Sequence, residues 1–74
     1  RVRQRLDLHL ADATGAQSLR DAEGVVDVEV HGNVVTVVVE GTVDAVVKAA
    51  SRFTVERIVS GDTDLEDAFL ELYR

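Results

Sequence analysis

Two valine-rich runs around a Gly-Asn pair constrain the fold more than any other feature, within residues 25–40, VVDVEVHGNVVTVVVE. Glycine adopts a positive φ at no steric cost and asparagine tolerates one better than most residues, so Gly32-Asn33 predicts the turn of a β-hairpin. With the turn there, His31 lies opposite Val34. The remaining predicted pairs are Val30 with Val35, Val28 with Val37 and Val26 with Val39.

Side-chain alternation along this hairpin separates an apolar face from a mostly polar one. The six paired valines form the apolar face, which we expect to be the core. The polar face carries Asp27, Glu29, His31, Thr36 and Glu40, with Val25, Val34 and Val38 among them. A one-residue slip would bring Asp27 and Glu29 into the core, so the register is well specified. The three valines on the polar face are either ordinary exposed residues or part of a protein contact.

Before the hairpin, residues 1–10 predict a half-buried strand and residues 12–24 a short helix. The strand has Leu6, Leu8 and Leu10 on one side and Arg5, Asp7 and His9 on the other. Thr14 and Gln17 fit a capping box, and Gly24 suits the left-handed position after the helix. The residues of this helix expected to face inward are Leu19 and Ala22.

After the hairpin, Gly41-Thr42 opens a second helix, with Thr42 as the predicted N-cap and Asp44 favourable in the first turn. Its predicted apolar face comprises Val43, Val46, Val47 and Ala50. Residues 53–60 predict a fourth strand with imperfect alternation, which an edge position or a bulge would explain.

A third helix is predicted over residues 61–74. Thr63 and Glu66 form a second capping box, and Asp62 and Asp64 favour the helix start. Its buried stripe comprises Leu65, Ala68, Phe69 and Leu72. We expect this helix to cap an end of the core or to lie against another chain.

The order of these elements predicts an α+β fold, a ferredoxin-like βαββαβ sandwich with a four-stranded antiparallel sheet plus an extra C-terminal helix. We expect right-handed crossovers and one domain over residues 1–74. The chain lacks methionine and begins at Arg1 inside a predicted strand, so we interpret it as a piece of a longer polypeptide.

Charge and composition exclude several function classes. The net charge of −6 argues against nucleic-acid binding, since phosphates require a basic surface. The chain has no cysteine, so disulfides and thiolate metal sites are excluded. No apolar run approaches the roughly 20 residues of a membrane span, so we expect no direct membrane insertion.

Two groups of residues could in principle carry chemistry. His9 and His31, if their strands are neighbours, could approach one another or Asp7 and Glu29 as a minimal metal or acid–base group. We interpret them instead as surface histidines. Acidic residues of the last helix are explained by capping and solvation: Asp62, Asp64, Glu66, Asp67 and Glu71. We therefore predict no catalytic, cofactor-binding or metal-binding residue, and no enzyme activity.

Residues 63–72, TDLEDAFLEL, carry a family resemblance. They resemble the signature that closes the ATP-binding subunits of ABC exporters of the drug-resistance and ABC-2 type, whose short accessory domain ends in a helix much like S-L-E-D-V-F-L-x-L. The matching residues are Leu65, Glu66, Asp67, Phe69, Leu70 and Leu72. Ala68 replaces the usual valine, and Asp64 stands where serine is frequent. The order of strands and helices is similar along the whole chain.

The resemblance implies a non-catalytic C-terminal accessory domain of an ABC transporter ATP-binding protein. It would support association of the ATPase subunits or their coupling to the membrane partner in export. Its implied partners are the parent ATPase domain, that domain's dimer mate and the membrane-spanning permease subunit. ATP and Mg²⁺ would belong to the parent domain, and none of the residues that bind them is in this chain. The implied location is cytoplasmic, at the inner face of the cell membrane through the transporter.

The candidate contact residues are Val25, Val34, Val38, Leu70 and Tyr73. We also expect the last helix to fold back on its own sheet through Leu65, Phe69 and Leu72, with its acidic residues outward. The alternative is a small-molecule-sensing regulatory βαββαβ module that dimerises and binds a ligand between subunits. A glycine-rich loop after the first strand would favour it, and Thr14-Gly15 is a weak form of such a loop.

Overall fold

A computed structural model of the chain describes residues 2–61. Its strands are β1 (Arg3–Leu10), β2 (Val25–His31), β3 (Val34–Glu40) and β4 (Val55–Gly61). A 3₁₀ helix (Ala16–Asp21) joins β1 to β2, and α1 (Asp44–Ala50) joins β3 to β4. The strands form one antiparallel sheet in the order β2-β3-β1-β4, so the predicted α+β class and four-stranded sheet are confirmed. Beyond Gly61, which ends β4, the predicted third helix lies outside the described residues.

The core lies between one face of the sheet, called here the inner face, and the two helices. The central strands supply six buried residues, Leu6, Leu8 and Leu10 from β1 and Val35, Val37 and Val39 from β3. The helices contribute Ala16, Leu19, Val46 and Ala50 to the same cluster. Each fully buried leucine or valine contributes about 1.5–3 kcal/mol relative to an exposed one. The inward leucines predicted for β1 are confirmed.

The hairpin register is confirmed near the turn and wrong at its far end. His31 pairs with Val34 and Val28 with Val37 as predicted, but a bulge intervenes between Val25 and Asp27. Val25 therefore pairs with Val39, the place predicted for Val26. An extra residue in one strand shifts every later side chain relative to its partner. As a result Val26 is 44% exposed, while Val25 packs against the core.

The turn between β2 and β3 uses only one left-handed residue. Gly32 has a φ of +63°, and no non-glycine among the described residues has a positive φ. A positive φ at the first central position alone is the pattern of a type II′ turn, so the positive φ allowed for Asn33 was wrong. Asn33 instead ties the turn to the end of β1. Its Nδ2 donates to the Ala11 carbonyl at 3.2 Å, and its Oδ1 accepts the Ala13 N–H at 3.4 Å.

The helix predicted over residues 12–24 is only the short 3₁₀ helix, and the capping box of Thr14 and Gln17 does not form. The backbone N–H and hydroxyl of Thr14 both donate to Asp12 Oδ1, at 2.9 and 2.7 Å. Such local side-chain bonds compete with helix formation, which delays the first helical turn. Two predictions are confirmed here, because Leu19 is fully buried and Gly24 has a φ of +90°.

The start of α1 is close to the prediction. The Thr42 hydroxyl accepts the Asp44 N–H at 3.0 Å, although Val43 occupies the cap position itself. Of the predicted apolar face, Val46 and Ala50 are buried and Val43 is half-buried. Val47 is exposed, so its predicted inward position was wrong. With only seven residues, α1 presents less than two full turns to the core.

The imperfect alternation of the fourth strand has both of the proposed causes. β4 lies at an edge of the sheet, and its pairing with β1 shifts between His9 and Leu10. The strand begins at Val55, two residues later than predicted, and Phe53 packs against the core before it.

Candidate functional site

The face of the sheet away from the helices, called here the outer face, carries most of the candidate residues in the described chain. Its members follow from the strand pairing. They are Arg3, Arg5, Asp7 and His9 of β1, Asp27, Glu29 and His31 of β2, Val34, Thr36, Val38 and Glu40 of β3, and Arg57 and Val59 of β4. The acidic side chains of β2 and the arginines of β1 and β4 divide this face into an acidic side and a more basic side.

The two histidines of the outer face are not on neighbouring strands. His31 pairs with Val34 and Val34 pairs with His9, so β3 separates them. Strands are about 4.8 Å apart, so the two histidine backbones are about 10 Å apart. His31 Nε2 lies 3.5 Å from Glu29 Oε1, and both side chains are largely exposed. Within residues 2–61, no group of three or more His, Cys, Asp or Glu side chains is placed to hold a metal ion.

A hydrogen bond across β1 and β3 fixes the centre of the outer face. The Thr36 hydroxyl donates to Asp7 Oδ1 at 2.8 Å, and Arg5 Nε lies 3.9 Å from the same oxygen. Val34 and Val38 lie on either side of Thr36 and are half-buried. On this surface apolar positions alternate with polar ones, and the Asp7 carboxylate already accepts a hydrogen bond.

Of the predicted contact residues, Val34 and Val38 are on the outer face as expected, and Val25 is not. The bulge in β2 places Val25 against the core, so it was wrongly assigned to the polar face. Leu70 and Tyr73 lie outside the described residues, as do the family-motif residues Leu65, Glu66, Asp67, Phe69, Leu70 and Leu72.

A shallow depression of about 290 Å³ lies beside the start of α1. Its lining residues are Glu23, Glu40, Gly41, Thr42, Asp44 and Ala45. Two of the three carboxylates have cationic partners, since Glu40 Oε2 accepts from Arg3 Nε at 2.9 Å and Asp44 Oδ2 lies 3.0 Å from Lys48 Nζ. Its volume is just below the range of about 300–1,000 Å³ that is usual for ligand pockets.

The Asp12 carboxylate accepts two hydrogen bonds from Thr14. The backbone N–H of Thr14, and secondarily its hydroxyl, hold the pKa of the Asp12 carboxyl below its ordinary value. Both bonds favour the charged carboxylate. Asp12 is fully exposed and belongs to the loop after β1, so we assign it a role in local structure.

The sequence did not predict the side chains that hydrogen-bond the exposed backbone edge of β2. Arg20 Nη2 donates to the Val28 carbonyl at 2.8 Å, and the Val28 N–H donates to Asp27 Oδ1 at 3.0 Å. Gln17 Oε1 accepts from Arg20 Nη2 at 3.0 Å and so helps to hold the guanidinium. The only local signal was Gln17 three residues before Arg20, a spacing that brings two side chains together on one helical face.

Comparison of the chain with protein-family models, with curated protein sequences and with solved structures finds no match. In the part of the chain that the structure describes, no helix is long and apolar enough to cross a membrane.

Proposed function

We propose that this chain is a non-catalytic C-terminal accessory domain of an ABC transporter ATP-binding subunit. The observation that carries the proposal is the sequence of residues 63–72, TDLEDAFLEL, and its resemblance to the closing signature of those subunits. In this role the domain supports association of the ATPase subunits or their coupling to the permease, at the inner face of the cell membrane. ATP and Mg²⁺ bind to the parent ATPase domain rather than to this one.

The fold supports the proposal. We propose that the domain is ferredoxin-like, two βαβ halves with a hairpin between them. The strand order β2-β3-β1-β4 and the connections through the 3₁₀ helix and α1 are consistent with that arrangement. Both helices bury side chains in the single core on the inner face, which leaves the outer face for contacts.

The outer face has the properties of a protein-binding surface. Val34 and Val38 offer half-buried apolar area near its centre, and charged side chains surround them. Interfaces between proteins commonly combine an apolar centre with a polar rim. We propose that the parent ATPase domain or its dimer mate binds this surface.

The DNA upstream of the Arg1 codon provides the most direct test of the assignment. We expect the reading frame to continue upstream through a phosphate loop and an ABC signature sequence. A start codon immediately before Arg1, or an unrelated upstream domain, contradicts the transporter assignment.

A matched pair of variants in the parent protein tests the proposed binding surface. Val38→Asp places a charge in the outer face, while Val47→Asp places one on the exposed side of α1. We expect Val38→Asp to reduce co-purification of the ATPase subunits or the permease, and Val47→Asp to leave it unchanged. Circular dichroism of both variants checks that the fold is retained. Equal co-purification of the two variants contradicts a contact through the outer face.

The alternative is a ligand-sensing module that dimerises, and the depression beside α1 is a concave feature that favours it. A bound ligand stabilises the folded state, so amino acids and nucleotides should raise the melting temperature if this function is correct. No shift at millimolar concentrations is the result expected for the accessory domain.

A further inference from the structure

The charged side chains on the two central strands of the outer face are balanced by close neighbours. Glu40 Oε2 accepts a hydrogen bond from Arg3 Nε at 2.9 Å. Arg5 Nε lies 3.9 Å from Asp7 Oδ1, which also accepts a hydrogen bond from the Thr36 hydroxyl. The centre of the face therefore carries little net charge, and covering it does not leave an unpaired carboxylate at Asp7.

The two edge strands carry opposite charges on the same face. On β2, Asp27 and Glu29 are acidic, and the Glu29 side chain is 62% exposed beside His31. On β4, Arg57 is exposed and makes no ion pair within residues 2–61. Three strand spacings of about 4.8 Å place β2 and β4 about 14 Å apart, so Glu29 and Arg57 of one chain do not meet. The outer face thus has an acidic edge and a basic edge.

Such a face is complementary to a second copy of itself. A two-fold axis between two outer faces, parallel to the strands, places β2 of each copy over β4 of the other and β3 over β1. The acidic edge of each copy then lies over the basic edge of the other. An axis across the strands would instead place β2 over β2 and β4 over β4, with like charges opposed. The charge pattern therefore selects one of these two aligned packings of sheet on sheet.

The register of the strands brings the opposite charges within reach. Through the pairing of the four strands, Glu29 is level with Val59 of β4. Arg57 is two residues from Val59 on the same face, about 7 Å along the strand. Packed sheets lie about 10 Å apart, a gap that the long side chains of Glu29 and Arg57 from opposite copies span together. By symmetry each dimer contains two such pairs.

The centre of the same contact covers apolar area. With β3 over β1, Val34 and Val38 of one copy lie against the strand that carries His9 and Arg5 in the other. Both valines are half-buried in the single chain, so part of each side chain is still exposed. The apolar stem of an arginine packs on such a side chain while its charged end remains in water.

The size of the outer face indicates a weak contact. Four strands of seven or eight residues cover roughly 19 by 23 Å, or about 440 Å² per copy. Stable interfaces bury about 800 Å² per partner, and smaller ones are transient. We infer that the outer faces of two copies bind each other in this way, as a contact that is populated when the parent subunits hold two copies close together. Only this last step rests on the proposed function, and it identifies the partner of the outer face as the same domain of the dimer mate.

Charge reversal at the two edges tests the inference in the 74-residue chain. Glu29→Arg and Arg57→Glu each oppose like charges at both pairs of a homodimer. Each should therefore lower the association constant, measured by sedimentation equilibrium, about tenfold. The double variant restores opposite charges and has the net charge of the parent, so its association constant should be within about twofold of the parent value. Circular dichroism checks that each variant retains the fold.

A control variant separates the specific pairs from general repulsion between acidic chains. The net charge is −6, so Glu29→Arg reduces the overall repulsion and would strengthen a non-specific association. Glu23→Arg makes the same change of net charge beside α1, away from the outer face, and should not weaken association. Weakening by Glu29→Arg alone is therefore the result expected for the outer-face contact.

Mixing the two single variants tests the geometry of the pairs. In a mixed dimer the introduced arginine of one copy faces the introduced glutamate of the other, and Arg57 faces Glu29 as in the parent. The mixture should associate about as tightly as the parent chain. A mixture of Glu23→Arg with Arg57→Glu should stay weaker, because one of its two pairs opposes two glutamates.

Three results would overturn the inference. They are a parent chain that stays monomeric up to about 1 mM, equal effects of Glu29→Arg and Glu23→Arg, and mixtures that associate no better than their components. The upstream reading frame tests the transporter assignment separately. A dimer with the expected charge dependence but no upstream ATPase domain supports the contact and removes only the assignment.

Discussion

The two edge strands of the sheet differ in how far their backbone groups are hydrogen-bonded and their side chains are covered. At β2, the side chains of Arg20 and Asp27 satisfy the carbonyl and N–H of Val28, and the 3₁₀ helix covers the Val28 side chain. At β4, six of seven residues are exposed, and no side chain within residues 2–61 donates to or accepts from its backbone. Unprotected edges favour pairing with other chains, and proteins usually block them.

The difference follows from the order of the chain. β2 is preceded by the 3₁₀ helix, which comes close enough to cover it, and Arg20 is eight residues from the carbonyl that it binds. β4 is preceded by α1, which buries Val46 and Ala50 in the core, yet Ile58 on the inner face of β4 is 50% exposed. The two connections of the described fold therefore cover the two edges of the sheet unequally.

The largest expected effect concerns the segment after β4. If Phe69 packs on the sheet, Phe69→Ala should destabilise the domain by about 3–5 kcal/mol, the usual cost of removing a buried aromatic side chain. Thermal or urea denaturation of the full chain measures it. A melting temperature within a degree or two of the parent protein contradicts burial of Phe69.

The bulge in β2 predicts the next largest effect, a contrast between two adjacent valines. Val25→Asp should cost about 1–3 kcal/mol, because it places a charge against the core, while Val26→Asp at the exposed position should change stability by less than about 0.5 kcal/mol. Urea denaturation of both variants measures the contrast. The reverse order would mean that the hairpin pairs without the bulge, with Val26 opposite Val39.

A smaller change in stability is expected at the edge strand β2. Arg20→Ala removes the donor to the Val28 carbonyl and should cost about 1 kcal/mol. Arg57→Ala is the matched control, since Arg57 is exposed on β4 and its side chain makes no hydrogen bond among the described residues. Equal stability of the two variants in urea denaturation contradicts a stabilising role for the Arg20 bond.

The smallest expected effect is a shift in the pKa of Asp12. The pKa of Asp12 is lowered mainly by the Thr14 N–H, so Thr14→Ala, which removes the hydroxyl and keeps the N–H, should raise that pKa part of the way towards its ordinary value. Because the folded pKa lies below the unfolded one, these bonds stabilise the fold above the unfolded pKa of about 4. That stabilisation is lost as the pH falls through the folded pKa. Carboxyl titration by nuclear magnetic resonance measures the shift, and an unchanged midpoint contradicts a contribution from the hydroxyl.

The predictable parts of the fold were those that one strong local pattern determines. Leucines at alternate positions fixed the inner face of β1, and Gly32 fixed the turn. The bulge was not predictable, because Val25 and Val26 are chemically equivalent and either fits opposite Val39. The 3₁₀ helix was mistaken for a longer helix because the competing bonds between Asp12 and Thr14 have no periodic signal.

The candidate site was less predictable than the fold for a related reason. Whether His9 and His31 meet depends on the strand order, and β3 between them is a consequence of long-range pairing. The outer-face positions of Val34 and Val38 needed only alternation and were correct. The contact between Arg20 and Val28 depends on packing between two elements, which spacing along the chain does not encode.

The central claim, that the inner face is covered at β2 and open at β4, is tested most directly by thiol labelling. The chain has no cysteine, so Val28→Cys and Ile58→Cys each introduce a single thiol, one at each edge of the sheet and both on the inner face. Because Val28 is 2% exposed and Ile58 is 50% exposed, we predict that the position 58 thiol reacts with a maleimide at least about tenfold faster than the position 28 thiol, corresponding to about 1.4 kcal/mol of protection at position 28. Equal rates, or faster reaction at position 28, would contradict the account.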